Sequence, residues 1–191
     1  MKVLAISSSP RRNGNSEMLL DIALSEIKKK EVSVKKVILT DLKIAPCNSC
    51  GDCFKTGECS IKDGMQVLYK DLLACDRLLI ASPMYFQGLP CQLKCAIDRC
   101  QALWAKKYVL KRDLVEKNRK TKRYGAAILV CASSGMKNTF TGAIITLKAW
   151  FSVLDIRYKK EFSTEGLEDK NAASRNEMLL KKVGEFSGAM V

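Results

Sequence analysis

Cys47, Cys50, Cys53 and Cys59 lie within one short stretch, CNSCGDCFKTGEC, with the spacing C-x2-C-x2-C-x5-C. Thiolates are soft ligands, and an all-cysteine set selects zinc or an iron–sulfur centre. Structural zinc sites usually separate two C-x2-C pairs by roughly a dozen residues or more. A single compact run has the ferredoxin form, in which neighbouring thiolates wrap one inorganic core. Asn48, Ser49, Gly51 and Asp52 are small enough for the backbone to curl there and aim N–H groups at sulfur. On these residues alone, an iron–sulfur cluster, a zinc ion and redox-active or structural thiols all stand. The remaining cysteines, Cys75, Cys91, Cys95, Cys100 and Cys131, sit among apolar neighbours and are expected in the core.

A second chemistry is written in SSSPRRNGNS, residues 7–16, a polar loop between an apolar run and a helical pattern. Free N–H groups at a helix N-terminus attract anions. Ser7, Ser9, Arg11, Asn15 and Ser16 add hydroxyl, amide and guanidinium donors. The spacing matches neither the dinucleotide G-x-G-x-x-G nor the P-loop pattern. A monophosphate cradle is the reading, with a plain turn and helix cap as its bland counterpart. SPMYFQGLP, residues 82–90, sets aromatics, a methionine and Gly88 at another strand end, a surface suited to a flat ring. The chain has no histidine, which removes imidazole ligands and histidine acid–base catalysis. No catalytic side chain is assigned.

These loops need a scaffold. KVLAIS (2–7), VSVKKVIL (32–39), RLLIASPMY (77–85) and YGAAILVCAS (124–133) read as buried strands, and IRYKKEF (156–162) as a polar edge strand. Residues 14–30, 62–76, 89–104 and 138–154 carry helical spacing, and 172–190 closes as a helix. Asn15 or Ser16 is expected to cap the first helix and Asp63 the second. This alternation predicts an α/β domain with a parallel sheet covered on both faces. Such sheets bind ligands beyond the carboxyl ends of their strands, here after residues 7, 81 and 131. One domain, 1–191, is expected, with the cysteine segment 45–60 inserted after the second strand.

No apolar run reaches the roughly 20 residues of a membrane span, and the N-terminal run is too short for a secretory signal. A cytoplasmic protein without membrane contact is therefore expected. Net charge is +13, much of it in KKYVLKRDLVEKNRKTKRY (106–124). That run lacks the aromatic interleaving that stacks bases, so a solvated surface is expected and nucleic-acid binding is not. A basic nucleic-acid or regulatory module is the least favoured reading.

SSPRRNGNS resembles the S-P-R-x-x-G-N-[ST] phosphate loop of the NADPH-dependent FMN reductase family. SPMYFQGLPCQLKCAIDR resembles that family's S-P-x-Y-x-G-x-x-x-x-x-L-K-x-x-I-D-R segment at Ser82, Pro83, Tyr85, Leu93, Lys94, Ile97, Asp98 and Arg99. Gly88 falls one residue later than the family's spacing. A branch of the family, the iron–sulfur flavoproteins, carries a similar compact cysteine motif after the second strand. The resemblance implies a flavodoxin-like three-layer sandwich with a five-stranded parallel sheet of order 2-1-3-4-5. It implies FMN held by Ser7, Ser9, Arg11, Asn15, Ser16, Ser82, Pro83, Met84, Tyr85, Phe86 and Gly88, and by Ala132, Ser133 and Ser134 of a third loop. It implies a [4Fe–4S] cluster on Cys47, Cys50, Cys53 and Cys59. It also implies a homodimer or homotetramer whose second subunit completes the FMN site. The function implied is electron transfer between two-electron donors or acceptors and one-electron carriers such as ferredoxin. The alternative is an NAD(P)H-dependent FMN or quinone reductase without a cluster.

Overall fold

The computed structural model describes residues 1–190. Its central strands are apolar along their length because both of their faces are covered. In β1 (Lys2–Ser7), Leu4 and Ile6 join one core layer, while Val3 and Ala5 join the other. With β2 (Ser33–Ile38), β3 (Arg77–Pro83), β4 (Tyr124–Val130) and β5 (Arg157–Thr164) it forms a parallel sheet of order 2-1-3-4-5. This is the flavodoxin-like order, with its switch point between β1 and β3. β5 alternates between exposed and half-buried positions, as an edge strand should.

α1 (Asn15–Lys28) covers one face through Leu19, Leu20, Ala23, Leu24 and Ile27. The cysteine segment follows β2 and contains one short turn, α2 (Cys53–Thr56). α3 (Met65–Ala74) and α4 (Cys91–Arg99) cover the opposite face with Met65, Leu68, Leu72, Leu93 and Ala96. α5 (Gln101–Trp104) continues into a π-helical turn over Ala105–Val109. α6 (Lys117–Lys120) precedes β4, α7 (Thr141–Val153) packs beside α4's layer, and α8 (Glu177–Gly188) returns alongside α1.

Three expectations change. Gly14, not Asn15 or Ser16, occupies the cap position of α1, and both polar residues sit buried in its first turn. Cys75, Cys100 and Cys131 are buried, but Cys91 is exposed and Cys95 half-buried. α4 turns Leu93, Ala96 and Arg99 inward, and that helical face leaves Cys91 and Cys95 outside. The basic run is not simply solvated. Arg123 is 1% exposed and donates to the carbonyls of Leu72, Cys75 and Leu154. Arg119 reaches Asp76 at 3.0 Å, and Lys107 pairs with Asp155 at 2.6 Å. Among the described residues, no helix is long and apolar enough to cross a membrane.

Candidate functional site

The carboxyl ends of four strands converge on one cavity. Ser9, Arg11, Gly14, Asn15 and Ser16 line it from the β1–α1 loop, and Pro83, Met84 and Tyr85 from the end of β3. Val130 and Ala132 enter from β4, and Leu167 and Glu168 from the loop after β5. The cavity is open to solvent and, with its mouth, encloses about 510 Å³. Ser8 Oγ donates to the Ala81 carbonyl at 3.1 Å and ties the loop to β3. The Arg11 N–H donates to Ser9 Oγ at 3.1 Å, a hydroxyl turn that shapes the loop. The free N–H groups of α1's first turn open here.

Asn15 lines this cavity, and its side-chain amide is engaged by the chain itself. Its Nδ2 donates to the carbonyls of Leu167 and Asp169 at 3.0 and 2.7 Å, and its Oδ1 accepts from the Ala173 N–H at 3.0 Å. Its amide therefore holds the far wall of the cavity. Glu17, in the first turn of α1, accepts from Asn13 N–H at 2.8 Å and from Lys36 Nζ at 2.9 Å. Burial acts to raise its pKa, but the Lys36 and Asn13 bonds prevail and hold the carboxyl below its ordinary range.

The late glycine also has an explanation. Tyr85 and Gly88 exchange both backbone N–H···O bonds, at 3.0 and 2.9 Å. Phe86 and Gln87 form the two-residue tip, with φ of +50° and +59°. That geometry is a tight hairpin turn. Phe86 is fully exposed at the tip, and Gln87 Nε2 donates to the Lys137 carbonyl at 3.3 Å. Phe86 and Gly88 thus stand in the hairpin rather than in the lining. Ser7 and Ser82 are buried at the ends of β1 and β3 and do not line the cavity, and Ser133 and Ser134 are exposed in the loop after β4. Gly14, Val130, Leu167 and Glu168 are additions. The same strand-end rule, applied to β5, would have reached Leu167 and Glu168, but the polar edge strand hid the signal.

A second cavity is lined by Cys47, Cys50, Cys53 and Cys59, with Phe54, Ile61, Arg99 and Ala102 as further wall. Ser49 and Gly51 adopt φ of +58° and +85°, which curls the backbone between the thiols. Gly57, at φ +79°, lies against Lys106 and Leu110 and seats the segment on the π-helical turn. Phe54 meets Trp104 edge-on, with ring centroids 6.2 Å apart. Burial pushes the Cys53 thiol up, and the neighbouring Cys47, Cys50 and Cys59 add to the shift. Among the described residues, no group of three or more His, Cys, Asp or Glu is arranged to hold a single metal ion.

Arg99 closes this segment. Its Nε donates to Cys59 Sγ at 3.2 Å, its Nη1 to the Ala45 carbonyl and Asp63 Oδ2 at 2.8 Å each, and its Nη2 to the Ile61 carbonyl and Asp63 Oδ1 at 2.9 and 3.2 Å. Asp63 also accepts from the Ala45 and Met65 N–H groups, both at 2.9 Å. Burial acts to raise the Asp63 pKa, and the Arg99 fork together with these N–H groups lowers it overall. The last residue of α4 therefore reaches the cysteine cavity, while its first residue follows the β3 hairpin. At helical rise its ends are about 12 Å apart.

The sequence pattern of NADPH-dependent FMN reductase matches residues 1–164. The chain belongs to the NADPH-dependent FMN reductase family. Within the family it falls in the iron–sulfur flavoprotein branch. An iron–sulfur flavoprotein of Archaeoglobus fulgidus is 32% identical over 180 residues, covering 92% of this chain and 76% of the relative. One of Methanosarcina thermophila is 35% identical over 114 residues, covering 60% of each chain. Family membership makes the chain a flavin-dependent oxidoreductase. The fold is shared with an azoreductase of Bacillus anthracis, at a TM-score of 0.72 and 13% identity over 99% of both chains. An FMN-dependent NADH-azoreductase of the same species, solved with FMN, has a TM-score of 0.69 at 14% identity over 99% of both chains.

Proposed function

We propose that the chain is an electron-transfer flavoprotein that holds FMN in the strand-end cavity and a [4Fe–4S] cluster on Cys47, Cys50, Cys53 and Cys59. The observation that carries this reading is a pair of cavities in one domain, one an anion-and-ring cradle at the strand ends, the other bearing all four thiols of the compact motif. The donor set fits each group. Ser9, Arg11, Ser16 and the first turn of α1 supply hydrogen-bond donors for a phosphate. Pro83, Met84, Tyr85 and Ala132 supply the flatter, less polar wall for a ring. Four thiols from one compact run around a shared cavity have the ferredoxin form that wraps a polynuclear core.

When bound, FMN supplies two-electron chemistry and the cluster one-electron chemistry. The chain's own residues position and shield. Asn15 and Ser8 hold the walls of the flavin cradle in place. Phe54, Ile61 and Ala102 reduce water contact with the thiolates, and Arg99 orients Cys59. The free state of all nine cysteines suits a reducing cytoplasm. Exposed Tyr85, Phe86 and Met136 favour a homodimer or homotetramer that covers the flavin rim. Lys55, Lys106 and Arg112 beside the cysteine segment suit an acidic one-electron carrier of the ferredoxin type.

The deciding experiment is an anaerobic absorption spectrum of purified protein with iron, sulfide and zinc analysis. Flavin bands, a broad visible shoulder that bleaches with dithionite, and equal iron and sulfide are expected. Flavin bands with zinc, or with no metal, would reject the cluster and leave the NAD(P)H-dependent FMN or quinone reductase. Reduction by ferredoxin should slow with added salt, and a salt-independent rate would remove the acidic carrier.

A further inference from the structure

Arg99 is a charged side chain with no exposure, placed where a helix end meets a loop of thiols. A guanidinium has five N–H donors in a rigid fork. Here each faces an acceptor: two carbonyls, both oxygens of Asp63, and the sulfur of Cys59. Ala45 precedes the first cysteine, and Ile61 and Asp63 follow the last. One side chain therefore gathers both ends of the segment. Only Nε points at a sulfur, so the contact with Cys59 is separable from the closure that the two Nη groups provide.

We propose that Arg99 is the positioning residue of the cysteine centre, holding Cys59 Sγ in place and setting the reduction potential of the group bound there. The inference rests on the cluster reading above. Two physical effects act in the same direction. An N–H bond to a thiolate withdraws electron density from sulfur, and a fixed positive charge favours the more negative, reduced state. Hydrogen bonds to sulfur and net charge are the levers by which proteins set such potentials. Lysine would keep a charge but cannot reproduce the fork. Neutral glutamine would remove the charge and leave Asp63 without its ion-pair partner.

The test compares wild-type protein with Arg99→Lys and Arg99→Gln. Each is purified anaerobically and measured for FMN content, iron and sulfide content, and the midpoint potentials of both groups by dye-mediated titration. The iron–sulfur potential should move downward in Arg99→Lys and further in Arg99→Gln, while the FMN potential stays unchanged. An unaltered iron–sulfur potential in a fully loaded variant overturns the proposal. A residue that served only to fold the loop would lower occupancy without moving the potential of the loaded fraction.

A second readout covers variants that fail to load. In iron-free protein, Arg99→Lys should change the alkylation rate at Cys59 several-fold and leave Cys47 and Cys50 unchanged, because the guanidinium governs both access to that sulfur and its thiolate character. Equal labelling of Cys59 in wild type and variant overturns the proposal. Wild-type protein without iron or sulfide would instead reject the cluster reading. The labelling comparison would still decide whether Arg99 holds Cys59.

Discussion

Asn15 and Leu167 are 152 residues apart in sequence, yet Asn15 Nδ2 donates to the Leu167 carbonyl at 3.0 Å. This bond brings the loop after β5 against the first turn of α1 and completes the cavity. Asn15→Ala would leave the carbonyls of Leu167 and Asp169 and the N–H of Ala173 without this partner. Expected costs are about 2–4 kcal/mol of stability and weaker FMN retention. Denaturant titration and flavin fluorescence on dilution check both, and unchanged FMN release would deny the wall its role.

Cys50→Ala removes one thiol from the second cavity and leaves the strand-end cavity untouched. Iron and sulfide should fall to trace levels while FMN stays stoichiometric. Loss of FMN together with iron would mean that the cysteine segment also builds the flavin pocket.

Gln87 holds a left-handed conformation that costs a non-glycine residue about 1–2 kcal/mol. Gln87→Gly should raise stability by about 0.5–1 kcal/mol, because glycine also loses more freedom on folding. The hairpin reading requires the opposite result for Gln87→Val, and thermal melts of the pair distinguish the two signs.

Glu17 sets an acid limit. Its folded pKa lies below the ordinary carboxylate value, so its contribution is complete above that ordinary value and is lost as pH falls through the folded one. Glu17→Gln should lower stability at pH ~7 by about 1–3 kcal/mol. The gap from wild type should then narrow on acidification below pH ~4. Melting temperatures across that window provide the check, and a gap that widens in acid contradicts the sign.

Phe86→Asp tests the exposed hairpin tip. If a second copy covers Tyr85 and Phe86, the variant should shift to monomer by light scattering and hold FMN more weakly. A wild-type monomer that retains FMN would remove the shared site.

The strands, the parallel sheet and the cavity-bearing strand ends were legible because each depends on local patterning. Apolar runs such as KVLAIS and RLLIASPMY fit strands covered on both faces, and the polar loops between strand and helix had to lie at strand ends. The compact cysteine spacing likewise named its own candidate residues. What the sequence could not assign were partners far along the chain. Asn15 reads as a phosphate contact in its motif, but Leu167 and Asp169 claim its amide. Arg99 reads as the end of a family segment, but it faces Cys59 at a separation of 40 residues. Those pairings depend on where α8's approach loop and the cysteine segment come to rest against the helices. Local propensity holds no record of that placement, so only the packed tertiary structure decided which donors stay free for a ligand and which hold the walls.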